Sequence, residues 1–319
     1  MRSIWLGLLI LIMTISCEKE VDKSIDISKI MVDFRVNRFE EVFYKSTEND
    51  LPRLKNEYAI LFPKGVHDSI WIARMKNEDE LYLFNESQKV FDDFKNEQKE
   101  LEQLFKYIKY YNPRFKAPNI ITHISDIDYQ YPVIYADSLL FISLDMYLGS
   151  DNIVYEGFPQ YLSQNYKKQR LVVDVANDII VQSYPKANTR IFLNRMIEEG
   201  KRIYLLDRFL PKITDDIKMG YSEKKLRWAQ DNEINVWKYF IENELLYSND
   251  SNLNKRFMDT SPFSKFYQEA DQDSPGRIGV WIGWQIVRSY MENNDVDLQQ
   301  LLITNPNEIF KKSKYKPKK

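Results

Sequence analysis

The chain holds a single cysteine, Cys17, in 319 residues, so no disulfide can form within it and no cysteine-based zinc cluster can brace it. Whatever it folds into must stand on buried apolar surface. The composition permits this: 44% of residues are hydrophobic and 14% aromatic against 29% charged, which excludes disorder, collagen and coiled-coil rods as the main structure. Nine glycines leave little bare backbone for nucleotide-phosphate cradles. The two histidines, His67 and His123, are too far apart for a paired helical metal site. Several chemistries are excluded and none is proposed.

The position of the cysteine is informative. Met1-Arg2-Ser3 is a short basic start, an apolar run follows from Ile4 to Ile15, and Ser16 precedes Cys17 and the polar Glu18-Lys19-Glu20. That is the layout of a secretory signal. The run of 12 residues is too short to span a bilayer, which needs about 20. A small residue directly before a cysteine also looks like a bacterial lipoprotein cleavage site, where the thiol takes a diacylglyceryl group and the cysteine becomes the new N-terminus. Thr14 stands where leucine is common in that signal. An ordinary signal peptide, or a short anchor with an incidental cysteine, is the alternative. Lipidation is preferred because a free exported thiol is a hazard, and several acyl chains anchor stably.

Without residues 1–16 the chain carries 44 basic against 47 acidic side chains. Residues 311–319 hold six lysines and no acid, which leaves 38 basic against 47 acidic over residues 17–310. The tail reads as a solvated, frayed terminus. No basic groove interleaved with aromatics is present, so no nucleic-acid partner is expected. The expected organisation is a signal peptide at 1–16, a lipidated tether at 17–28, one globular domain at 29–310 and a lysine-rich tail at 311–319.

Periodicity predicts a mostly α-helical α+β fold. Residues 30–36 alternate as a strand, and Phe39 to Tyr44 starts a helix. Val90, Phe94, Leu101, Leu104, Phe105 and Ile108 recur at helical spacing, which predicts long amphipathic helices over about 74–111, ending before Pro113. Residues 119–124, 133–136 and 139–144 are short β-branched or aromatic runs separated by Asp-rich turns, which predicts a small antiparallel meander. Helices are expected over about 170–183, 188–209, 223–247 and 277–293. The third should bury Leu226, Ile234, Trp237, Ile241 and Leu245. In the last, Gly279 and Gly283 would permit close helix contact, with simple core packing the plainer expectation.

The search for chemistry leaves one arrangement. There is no phosphate loop, nucleophile elbow or His-Glu-x-x-His pattern. His123 reads as a structural strand residue and His67 as a loop or helix-start residue. Asp174 and Asp178 stand at i and i+4 on one helix face, and Glu199 follows on the next helix. This layout resembles a Glu-zincin metallopeptidase in which both histidines are Asp and the general base is Val175. Three carboxylates suit zinc poorly, and nothing is placed to activate a water. The fold is thus expected to be a degenerate zincin-like arrangement, with Asp174, Asp178 and Glu199 as a vestigial site and no catalytic, cofactor or metal residues. A solvated helix face is the plain alternative. Lys201 and Arg202 are candidate counter-charges for Glu199.

Further stretches carry a family resemblance. Residues 239–248, 262–267, 274–289 and 312–319 resemble the gliding-motility lipoprotein GldB family. So do Ile108-Lys109-Tyr110-Tyr111, residues 125–129 and 133–140, and Met146-Tyr147-Leu148-Gly149. The resemblance spans nearly the whole chain beyond Cys17. It implies an exported cell-envelope lipoprotein required for gliding, associated with other motility and type IX secretion proteins and held to a membrane by its lipid. No small-molecule substrate or cofactor is implied. A metal-dependent hydrolase using the carboxylates is the alternative.

Overall fold

The computed structural model describes residues 25–185 and 187–318; the expected signal peptide at 1–16, the lipidation expected at Cys17 and residues 18–24 lie outside the described residues, as do Lys186 and Lys319. Fifteen α-helices and one four-stranded sheet are present among the described residues, a mostly helical α+β architecture.

The sheet is mixed, not the expected antiparallel meander. Its strands are β1 (Val36–Arg38), β2 (Asn119–His123), β3 (Val133–Ala136) and β4 (Leu139–Ser143), in the order β1-β2-β4-β3. β2 lies parallel to both β1 and β4, and only β3 and β4 are antiparallel. The connections explain this. A two-residue turn at Asp137 and Ser138, with Asp137 at φ 56°, permits only a hairpin, whereas residues 39–118 form a helical crossover that returns the chain parallel to β1. β1 is also shorter than the strand expected over residues 30–36 and is displaced from it, sharing only Val36. Val36 pairs with Ile120, one residue into β2, so the chain upstream of β1 has almost no strand to pair with.

Successive β2 side chains point to opposite faces, and each face is covered. Ile120 joins the main core, while Ile121 joins a smaller cluster of Phe39, Phe43, Leu51, Leu54, Phe62, Trp71 and Met75. The main core is centred on the crossing of the helices Phe192–Phe209 and Ile278–Asn293, and every residue from Ile278 to Val287 is buried. A Cβ on Gly200 would overlap the Gly283 carbonyl, and one on Gly283 would overlap the Met196 carbonyl. Gly283 is therefore required by close approach rather than by ordinary packing alone.

Two helix boundaries moved for identifiable reasons. The helix expected from Asn188 begins at Phe192, because the Phe192 and Leu193 N–H groups donate to the Ser248 and Leu246 carbonyls, both at 2.9 Å. The helix expected over 223–247 divides into Glu223–Asp231 and Glu233–Glu242 at Asn232, whose amide donates to the Trp228 carbonyl at 3.0 Å. That break turns Val236 and Phe240 inward and leaves Ile241 exposed. Trp237 is half-buried, not a core residue, and packs on Phe310 and Tyr315. Residues 311–313 continue the helix Pro306–Ser313, and the tail beyond it is docked where a frayed terminus was expected: Tyr315 donates to Glu233 at 2.9 Å and the Lys318 N–H reaches the same carboxylate at 3.2 Å.

Candidate functional site

Asp174, Asp178 and Glu199 do not come together as one cluster. Asp174 lies in the first turn of the helix Leu171–Ser183, accepting from Arg170 Nε at 2.8 Å and the Tyr147 hydroxyl at 3.1 Å. Burial pushes its carboxyl above the usual aspartate value, with Arg170 and Tyr147 pulling against that shift. Asp178, one turn on, accepts the backbone N–H of Tyr135 on the edge strand β3, and burial raises its carboxyl as well. It ties helix to sheet. Glu199, on the helix Phe192–Phe209, lies 4.0 Å from Arg202. Lys201, the other expected counter-charge, instead pairs with Glu198 at 2.8 Å inside the fold. Among the described residues, no group of three or more His, Cys, Asp or Glu side chains is placed to hold a metal ion.

The two histidines are accounted for locally. His67 caps the helix Asp68–Met75 through Nδ1, which accepts the Ser69 N–H at 3.2 Å. His123 lies on β2 with Nε2 at 3.3 Å from the Ser143 hydroxyl, and burial lowers its pKa.

What the structure adds is a cavity of about 670 Å³ beside Asp174. Asp174 lines it, while Asp178 and Glu199 do not. Among the described residues lining it, four side chains are cationic, Arg170, Lys224, Lys225 and Arg277, and Asp174 is the one carboxylate. Local charge is thus the reverse of the chain's net −2. Tyr129, Tyr161, Tyr166 and Phe263 supply aromatic wall.

The cavity walls are braced from behind. One wall, Met219–Ser222, follows a short helix held by an ion-pair network: Arg288 bonds Asp207 at 2.8 Å and Asp215 at 2.7 Å, and Lys218 and the Trp284 indole each reach Asp207 at 2.8 Å. Facing it, the loop 272–277 is pinned by Ser264, whose hydroxyl donates to the Pro275 carbonyl at 2.7 Å, and by Lys225, which donates to the Gln272 and Ser274 carbonyls at 2.7 Å. Tyr221 donates to the Gly276 carbonyl at 2.7 Å and joins the walls. A Cβ on Gly276 would overlap the Ser261 carbonyl, so only glycine fits there. Arg277 then sits at φ 58°, a left-handed conformation uncommon for a side-chain-bearing residue.

The sequence reading missed Arg170 and Arg277 as site residues. The signal for Arg277 was its place in Pro275-Gly276-Arg277, just ahead of the long apolar helix. Nothing local marked the charge as facing a cavity.

The family model described as gliding motility protein GldB matches residues 20–317. The chain belongs to the GldB family. Membership gives it a role in gliding motility and a place in the cell envelope. Comparison with curated proteins and with solved structures finds no match. Every residue lining the cavity lies within the GldB match. No helix among the described residues is long and apolar enough to cross a membrane.

Proposed function

We propose that this GldB-family chain is a non-catalytic, lipid-anchored component of the gliding apparatus, associated with type IX secretion proteins. Residues 1–16 would be removed on export, Cys17 would carry the lipid, and residues 17–28 would tether the globular body. The observation that carries the non-catalytic reading is the engagement of the two aspartates at the zincin-like positions. Asp174 is held by Arg170 and Tyr147, and Asp178 by the β3 backbone.

Two measurements test it. Cys17→Ser should leave a folded protein that no longer fractionates with membranes or incorporates labelled lipid, and cells carrying it should lose gliding. Continued labelling and membrane retention of the serine variant would rule lipidation out. Full chain purified without added metal should contain no zinc and cleave no peptide when zinc is supplied. Stoichiometric zinc with peptidase activity would overturn the scaffold reading.

A further inference from the structure

Among the described residues lining the cavity beside Asp174, one cation, Arg277, has no carboxylate in direct contact with it. Arg170 has Asp174 as its carboxylate partner and gives its remaining donors to the Ile217 and Lys218 carbonyls. Arg277 has no such partner. Its one hydrogen bond is a 3.5 Å contact with the Met219 carbonyl, and no carboxylate forms an ion pair with it among the described residues. Lys225 gives its hydrogen bonds to the Gln272 and Ser274 carbonyls with Asp273 as a nearby counter-charge, and Lys224 at the rim lies 3.9 Å from the same Asp273. A partly buried guanidinium without a carboxylate in direct contact is costly to keep. Burial pulls the Arg277 pKa below the usual arginine value, and the Arg170 charge adds to that, while Tyr221 and Glu199 oppose it.

The architecture holds this unpaired cation in place. Gly276 is forced by the Ser261 backbone, Tyr221 clamps Gly276, and Arg277 is locked in a left-handed conformation. Strain of this kind persists where the surrounding structure over-determines it, and it clusters at binding and catalytic sites. The volume falls inside the range of about 300–1,000 Å³ usual for small-molecule sites, and aromatic walls with a few convergent polar groups are usual there too.

We propose that this cavity binds an organic oxyanion, a small molecule or chain end bearing a carboxylate or phosphate group, with Arg277 as the anchoring cation. The planar guanidinium fork matches both groups bidentately. Arg170, oriented by Asp174, and the Lys224 and Lys225 ammoniums complete the positive field, while Tyr161 and Phe263 offer apolar wall to the rest of the ligand. This departs from the sequence-based expectation of no small-molecule ligand. It stands apart from membrane anchoring, so Cys17→Ser should bind the same ligands.

The test is titration calorimetry on the purified full chain in detergent with three probes: inorganic phosphate, an acetylated dipeptide with a free carboxylate, and the same dipeptide as its amide. Saturable binding of phosphate or of the free carboxylate is expected, with the amide at least about tenfold weaker, the scale of one lost charge-assisted hydrogen bond. Tighter phosphate binding would assign a phosphate ester, and tighter carboxylate binding a carboxylic acid. Arg277→Gln should weaken the better probe about tenfold or more at unchanged circular dichroism. If that variant fails to fold, Lys224→Gln at the exposed rim serves instead, with about twofold weakening expected. Absence of saturable binding by either anion, binding of the amide as tight as the acid, or an unchanged dissociation constant in the folded variant would each overturn the proposal.

Discussion

Asp174 and Asp178 stand one helical turn apart, yet the fold asks different things of them. Arg170 is buried beside Asp174 and needs its negative charge; Tyr135 needs from Asp178 only an acceptor for its N–H. Asp174→Ala should therefore destabilise by about 1–3 kcal/mol, because it leaves the buried Arg170 Nε and the Tyr147 hydroxyl without their acceptor. Asp178→Asn should change stability little, because an amide oxygen accepts the same bond. Equal melting temperatures for the two variants at neutral pH would show that the Arg170 pair contributes nothing. Both carboxyls are raised by burial, which fixes the sign of the pH effect. The folded state binds these protons more tightly than the unfolded chain, so their contribution is present below the unfolded value. It is lost as pH rises through the raised folded value. Wild type should thus gain stability relative to Asp178→Asn as pH falls from neutral towards about 4, as denaturant titrations at each pH would reveal; a constant difference would contradict the raised value.

Among the elements, the crossing of Phe192–Phe209 over Ile278–Asn293 has the least tolerance. Gly283 faces the Met196 carbonyl so closely that one added methyl cannot fit without moving a helix. Helices in the centre of a packed core have nowhere to go. Gly283→Ala should cost about 1–3 kcal/mol or more, as overpacking does. Gly65, where an added Cβ meets no atom within 4 Å, supplies a control for backbone conformation alone, since its φ of 92° strains any replacement. A Gly283→Ala melting temperature within error of wild type would show that the helices can separate freely. Asp207 and Arg288 lie on this helix pair and Arg288 also bonds Asp215 of the short helix Asp215–Met219, so loosening the crossing should also reach the cavity wall that begins at Met219.

Across the whole molecule, the C-terminus closes the fold. Tyr315 stacks edge-on against Trp237 with ring centroids 5.3 Å apart and bonds Glu233, which is itself buried, and the Lys318 backbone satisfies the same carboxylate. Removing residues 314–319 would leave that carboxylate without these donors and expose one side of Trp237. Thermal unfolding of the truncated chain should show a fall of several degrees, consistent with a loss of about 2 kcal/mol or more. An unchanged melting temperature would restore the picture of a solvated tail over residues 314–319. The lysines themselves can remain in water while Tyr315 between them is half-buried against the core, which is why charge counting alone misjudged this segment.

The sequence by itself determined where most elements lie. Phe39–Tyr44, the helices around 78–111, the three runs that became β2, β3 and β4, and the long apolar helix after Arg277 are all legible because side-chain periodicity and turn chemistry act between near neighbours. The chain's single cysteine also excludes an internal disulfide framework and a cysteine-based zinc cluster. Tertiary structure alone decided the strand order, since parallel pairing of β1, β2 and β4 depends on how intervening helices pack. It alone separated Asp174 from Asp178: i and i+4 spacing places both on one face, but what each meets is set by Arg170, Tyr147 and β3. The cavity was invisible for the same reason. Arg170 and Arg277 are more than a hundred positions apart, and an unpaired charge is defined by which carboxylates fail to reach it, a property of three-dimensional arrangement that no local pattern encodes.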